Sequence, residues 1–283
     1  MGFIQAVGKA FGLTHRLFVA VAVVVGFTAL LSALATLWLP FEVIGTPPVI
    51  RVPAPQNWEE VRGILLPALT LFLCSSFGFL FLLAATLGSL RKLLHGEPFS
   101  PLGYFQSGGR WFFPILGWMS VLGLLFLALS SLLGIPLAIQ VGGLGSEVEL
   151  KKGMAVFGLV LMMVHLAGFL IFLFSPVSLV ERSRGVWDSL GDSLRFLFRH
   201  LLGTVGLFAS AVVVGVLLTV VGIVLGGVVN SIRGMLGIPP FVKGWPVFFF
   251  TLILGLPQAY LTVYFPALLY SYYHSNSSQA STT

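Results

Sequence analysis

The chain has 283 residues, of which 57% are hydrophobic and 8% are Asp, Glu, Lys or Arg. That is about a third of the charge of a soluble domain, too little polar surface to face water on all sides. The formal net charge of +6 comes from cations that punctuate apolar runs instead of clustering on one soluble face, so they read as topology signals and not as a nucleic-acid footprint.

In chain order, the N-terminal FIQAVGKAFGLTHRLFV places Phe3, Ile4, Val7 and Phe11 on one helical face and Arg16 at a membrane edge. The first apolar run, Leu17 to Leu39, is longer than a secretory h-region. It ends in LWLPFEVIG with no small-residue cleavage signal, so it reads as a retained span. Ala6 stands where N-myristoylation needs Ser or Thr. Five further stretches are long enough for the ~20 residues that cross the hydrocarbon: Ile64 to Leu87, Trp111 to Leu133, Met154 to Val177, Leu201 to Val229 and Val247 to Tyr270. The loop from Pro40 to Glu60 between spans one and two is proline-rich and acidic, suited to an ordered extended outer loop. Cys74 lies inside the second run, so neither a disulfide nor a cysteine metal site forms within one chain.

Between spans four and five, Val186, Trp187, Leu190, Leu194, Leu197, Phe198 and Leu201 fall on one face of a helix. Asp188, Asp192, Arg195 and Arg199 face away, and Phe196 alone breaks the pattern. This predicts an amphipathic interfacial helix, Val186 to Arg199, whose Arg195 and Arg199 meet anionic lipid headgroups before the chain turns into span five. SPLGYFQSGGRWFFPILGW places Arg110 in the same way before span three. The N-terminal segment makes a third unit, predicting three hairpins, each led by a cytoplasmic amphipathic helix. The fold class expected is therefore an all-α integral membrane protein with six transmembrane helices. Residues 1–274 form one domain, and 275–283, SNSSQASTT, form a disordered polar tail.

With both termini inside, nine Lys and Arg face the cytoplasm (Lys9, Arg16, Arg91, Lys92, Arg110, Arg182, Arg184, Arg195, Arg199). Six lie outside (Arg51, Arg62, Lys151, Lys152, Arg233, Lys243), so both ends are placed in the cytoplasm. The fifth span, at 29 residues and about 44 Å of helix, exceeds the bilayer and must tilt, kink or protrude. It is expected to end near Val229, with the outer loop folding back through Trp245.

The loops LRKLLHGEPFSPLGYFQSGGRWF and PVSLVERSRGVWDSLGDSLRFLFRHL resemble a loose bacterial group of integral membrane proteins that includes the membrane domain found beside glycerophosphoryl diester phosphodiesterase. In that group hydrolysis belongs to a separate soluble barrel, for which this chain has no room. The resemblance implies a membrane module without the catalytic unit.

The six spans hold no Asp, Glu, Lys or Arg, which argues against ion-coupled transport. His165 is the one candidate for intramembrane chemistry in them, either a proton carrier or axial ligand to haem or chlorophyll, or a neutral histidine hydrogen-bonded across a helix interface. In LILGLPQAYLTVYF, Pro257 frees the Ile253 carbonyl and Gln258 offers an amide to a polar substrate, unless this is an ordinary proline kink. Gly222 and Gly226, and more loosely Ala84 and Gly88, allow close helix contact. No nucleophile elbow, P-loop, Rossmann or zinc-protease motif is present, and no cofactor is required. Three classes stay open. The first is a non-enzymatic accessory or scaffold subunit with lipid and protein partners. The second is a permease or a protein handling lipid or small hydrophobes, and the third is a pigment carrier through His165.

Overall fold

The computed structural model describes residues 2–39, 42–44, 49–51, 57–142, 147–235 and 245–277. Ten helices are found among them: α1 (Phe3–Arg16), α2 (Phe18–Trp38), α3 (Trp58–Leu94), α4 (Pro101–Gly142), α5 (Glu147–Ile171), α6 (Ser175–Arg182), α7 (Val186–Arg199), α8 (Leu201–Met235), α9 (Trp245–Leu254) and α10 (Leu256–Ser277). Two three-residue strands, β1 (Glu42–Ile44) and β2 (Val49–Arg51), pair antiparallel with Val43 opposite Ile50. They lie in the loop read as extended, and among the described residues every other regular element is a helix. Five helices are long and apolar enough to cross a membrane, or six if α9 and α10, bent by 49°, count as one span. This is a multi-pass membrane protein.

Helix ends follow local chemistry. Asn57 caps α3: its Oδ1 accepts the Glu60 amide at 2.9 Å while its Nδ2 donates to Glu60 Oε1 at 3.0 Å. Glu59 and Glu60 in the first turn and Arg91 and Lys92 in the last complement the helix dipole. The other end closes on Gly96 at φ 82°, with the Glu97 amide returning to the Lys92 carbonyl at 2.9 Å. α6 stops on Ser183, which takes the left-handed conformation at φ 53°.

α1 and α7 are built alike. Each has 14 residues, begins after an extended glycine (Gly2 or Gly185), and ends on an arginine before a short break, at Leu17 or His200, that leads into a long apolar helix. α7 divides into three faces. Ser189, Leu190, Ser193, Phe196 and Leu197 are buried; Trp187, Leu194 and Phe198 form an exposed apolar stripe; Asp188, Arg195 and Arg199 are exposed on the third face. The apolar set read from spacing therefore divides between two faces. Phe196 is no exception to the pattern, since it lies in an aromatic cluster, with ring centroids 4.7 Å from Phe174 and 4.8 Å from Tyr273. Asp192 belongs partly to the packed side, as described below.

The third unit differs from expectation. Ser100 Oγ accepts the Gly103 amide at 3.0 Å, and from there α4 runs unbroken past Arg110. The first turns of α4 pack lengthwise on the end of α3, where a Cβ on Gly88 would stand 2.7 Å from Trp111 Cδ1 and 2.8 Å from Ser107 Cβ, and nothing turns the chain away. Other boundaries also move. α8 continues through Asn230 to Met235, beyond the expected stop at Val229. The fourth span is interrupted between Ile171 and Ser175, and α10 extends three residues into the expected tail, where Asn276 is buried; the tail beyond Ser277 lies outside the described residues. In the last span the break falls at Gly255. A Cβ there would meet the Thr251 carbonyl oxygen at 2.6 Å. Pro257, in the first turn of α10, occupies a position whose amide has no intrahelical acceptor, so it costs the helix nothing.

The core closes the chain on itself. α1 runs antiparallel along α10, with Phe11 against Tyr264 at 4.7 Å and Ser271 Oγ donating to the Ala6 carbonyl at 3.3 Å. α4 packs on α3, and α7 on α6. One end of the bundle thus gathers α1, α7, the last turns of α3, α6 and α10 and the first turns of α4.

Candidate functional site

An apolar cavity of about 510 Å³, open on one side, lies between the helices. Leu83 and Leu87 of α3, Trp118, Leu122, Gly123 and Phe126 of α4, Phe169 of α5, Pro176 and Val177 of α6, and Phe265, Pro266 and Leu269 of α10 line it. No side chain in its wall carries a charge. The Trp118 indole Nε1 donates to the buried Ser175 Oγ at 2.6 Å, which leaves the ring face for the cavity and fixes its orientation.

The charges begin one or two turns further along the same helices. Beyond Leu87, α3 carries Arg91 and Lys92, which with Gln106, Arg110 and Trp111 line a cleft of about 460 Å³. Beyond Val177, α6 carries Arg182; beyond Leu269, α10 carries Tyr273 and Asn276. With Arg184, Asp192, Arg195, Arg199 and His200 these line a second cleft of about 230 Å³.

The two clefts differ in how their cations are used. In the first, Arg91 donates to Ser183 Oγ at 2.9 Å and stacks 5.6 Å over the Trp111 ring, on which Arg110 stacks at 5.5 Å. In the second, Asp192 Oδ2 accepts from Arg182 Nη1 at 3.2 Å, Arg184 Nη1 at 3.0 Å and Ser178 Oγ at 3.2 Å. Its carboxylate is nearly buried, at 9% exposure. Among the described residues, Arg195 and Arg199 donate to no acceptor. Burial pushes the His200 imidazolium down in pKa, and the Arg199 charge adds to this, which favours the neutral ring at pH 7.

Beside these clefts the half-buried Glu181 joins three helices. It accepts the Tyr270 hydroxyl at 2.5 Å and His274 Nδ1 at 2.7 Å, and His95 Nε2 stands 3.8 Å away. Among the described residues no set of His, Cys, Asp and Glu side chains is placed to hold a metal ion.

The residues singled out by sequence are dispersed. Arg195 and Arg199 share a cleft, Arg110 lies in the other, and His165 sits on α5 beside the cavity wall. His165 Nδ1 lies 2.7 Å from the Leu161 carbonyl and Nε2 3.1 Å from Ser130 Oγ. A carbonyl only accepts, so Nδ1 carries a proton and donates, and Nε2 pairs with the serine hydroxyl. The ring stacks on Phe126 at 5.1 Å. Both nitrogens are engaged within the protein. Gln258 is exposed and points to no cavity, although its neighbour Pro257 is buried. No protein-family model matches the chain, and no curated protein or solved structure matches it. Sequence reading missed Asp192 as a structural acceptor and the Glu181 cluster. The first unites residues 8 to 14 positions apart and the second residues 89 to 93 positions apart, and only the closely spaced acids and arginines of VERSRGVWDSLGD hinted at the first.

Proposed function

We propose that this protein is a non-enzymatic multi-pass protein of a bacterial inner membrane that lodges the apolar part of a lipid or small hydrophobe between its helices. The observation that carries this reading is the apolar cavity of about 510 Å³, a volume within the ~300–1,000 Å³ of small-molecule sites. An open apolar groove of this size suits an acyl chain or small hydrophobe, whereas an accessory subunit does not require one. In this reading α2 with α3, α4 with α5, and α8 with α9 and α10 form three transmembrane hairpins. The gathered end of the bundle, with both termini, faces the cytoplasm, and α1 and α7 lie at the headgroup boundary with their exposed apolar stripes toward lipid. The resemblance in the loops after spans two and four agrees with a membrane module that lacks a catalytic unit.

Gly123 provides the test, because a Cβ there meets nothing within 4 Å and points a larger side chain toward free space in the cavity wall. Mass spectrometry of the purified protein under non-denaturing conditions is expected to find lipid retained by the wild type and lost from Gly123→Phe, with both eluting as single species. Equal retention in the two proteins removes the cavity reading and returns the choice to a ligand-free accessory subunit.

A further inference from the structure

Arg195 and Arg199 stand one turn apart on α7, which puts their side chains on one face with Cβ atoms about 5–6 Å apart. Both line the cleft of about 230 Å³ with Arg182, Arg184, Tyr273 and Asn276. The one carboxylate in that cleft, Asp192, is occupied by Arg182 and Arg184. Four guanidinium groups against one carboxylate leave a net charge of +3, to which neutral His200 adds nothing. The other basic cleft has a smaller excess of positive charge, since Glu97 lines it together with Arg91, Lys92 and Arg110, and Arg91 is bonded to Ser183. The volume is below the ~300 Å³ of the smallest drug-sized sites, room for a small anion or headgroup and not for a nucleotide. The cleft is also level with the exposed stripe of Trp187, Leu194 and Phe198, so a group reaching it comes readily from the membrane boundary.

We propose that the cleft between α6, α7 and α10 binds a phosphate group, held in forked hydrogen bonds by Arg195 and Arg199, and that this phosphate is the headgroup of the lipid whose chain occupies the cavity. The proposal rests on the lipid-handling reading above. Arg182, Arg184 and Asp192 act as positioning residues: the shared carboxylate holds the first two guanidiniums at the rim, and Arg195 and Arg199 supply the free N–H donors. A guanidinium presents two parallel donors to phosphate oxygens, whereas an ammonium is a single point of charge.

The test uses the full chain in detergent with phosphatidic acid, phosphatidylcholine and inorganic phosphate as probes, the two lipids sharing the same acyl chains. The wild type and the charge control Arg62→Gln, at the other end of α3, are expected to prefer phosphatidic acid by about tenfold or more. A loss of one or two charge-assisted bonds corresponds to a factor of that size. Arg195→Gln/Arg199→Gln erases the preference, and Arg195→Lys/Arg199→Lys loses most of it while the protein elutes normally. Displacement of phosphatidic acid by millimolar inorganic phosphate keeps the phosphate site but assigns it to a soluble anion; resistance assigns it to the lipid. A wild type that binds both lipids equally, or a Gln or Lys pair that keeps the full preference, overturns the headgroup site. Binding of both lipids that Gly123→Phe abolishes leaves the cavity reading standing without it, while failure of every lipid to bind removes the cavity reading itself.

Discussion

His165 spends both ring nitrogens on its own surroundings, Nδ1 on the carbonyl one turn earlier and Nε2 on Ser130 of the neighbouring helix. Hydrogen bonds between helices in a bilayer average about 0.6 kcal/mol, because the unfolded chain in the membrane also finds partners. His165→Leu is therefore expected to lower stability by no more than about 1–2 kcal/mol in a denaturant titration, and the purified wild type should show no Soret or chlorophyll band; a band lost in His165→Leu would establish the pigment reading. Asp192 behaves otherwise. Its carboxylate is nearly buried between Arg182 and Arg184, which are 36% and 47% exposed and so partly screened. Asp192→Asn keeps the shape but leaves two arginines facing each other, and a loss of about 1–2 kcal/mol should appear as a lower thermal midpoint. Each arginine meets Oδ2 through a single Nη1, a contact that an ammonium can also make, so lysine in place of either arginine is expected to keep part of the stability. Composition and spacing made Arg195 and Arg199 visible as a charged face. They did not reveal Asp192 as the acceptor that frees them, because its partners come from α6 and the turn that follows, and a periodicity taken along one helix carries no information about another.

Glycines show what a single helix can and cannot tell about its neighbours. The spacing of Gly222 and Gly226 suggests a close crossing, yet a Cβ on Gly222 meets nothing within 4 Å and one on Gly226 only reaches Leu254 at 4.0 Å. Gly88 is tight, with Trp111 and Ser107 both under 3 Å from a built Cβ. Gly88→Val should cost about 1–3 kcal/mol by overpacking α3 against α4, whereas Gly222→Ala should be neutral or stabilise by up to about 1 kcal/mol through helix propensity. Parallel thermal unfolding of the two variants in one detergent checks this, and equal losses would mean that α8 is packed by something beyond this chain. The bounds of α7 were legible from its own residues, because a glycine, a helical stripe and a final arginine mark both ends. The unbroken course of α4 was not: Arg110 ends the same kind of stripe, but α3 lies alongside and rewards a straight continuation. The bend at Gly255 was half legible. Pro257 flagged the place, while the cause is the approach of Thr251 and Val25 to a residue without a side chain.

At the scale of the whole molecule, hydropathy revealed a membrane protein and nearly all its long helices, since an apolar run of more than 20 residues has few other uses. The way the ends meet was not legible. α1 buries Ala6, Ala10 and Leu13 against α10, more than 250 residues away in the chain, and sequence spacing says nothing about such a contact. That closure brings α1, α7 and the last turns of α3 and α10 to one end, so the orientation of any one of them orients all. In the proposed orientation, which follows the lysine and arginine bias, this end faces the cytoplasm. Ser193 is unsuitable as a reporter because its side chain is fully buried and donates to the Ile171 carbonyl at 2.7 Å. Gly191, exposed on α7 with open space at its Cβ, is better. In a Cys74→Ala background, which removes the exposed thiol of α3, a membrane-impermeant maleimide applied to intact cells should label Glu59→Cys at the start of α3 and miss Gly191→Cys until the cells are opened. The reverse pattern would turn the bundle over. The basic clefts would then face the outer leaflet, and the phosphate proposed for Arg195 and Arg199 would have to come from there.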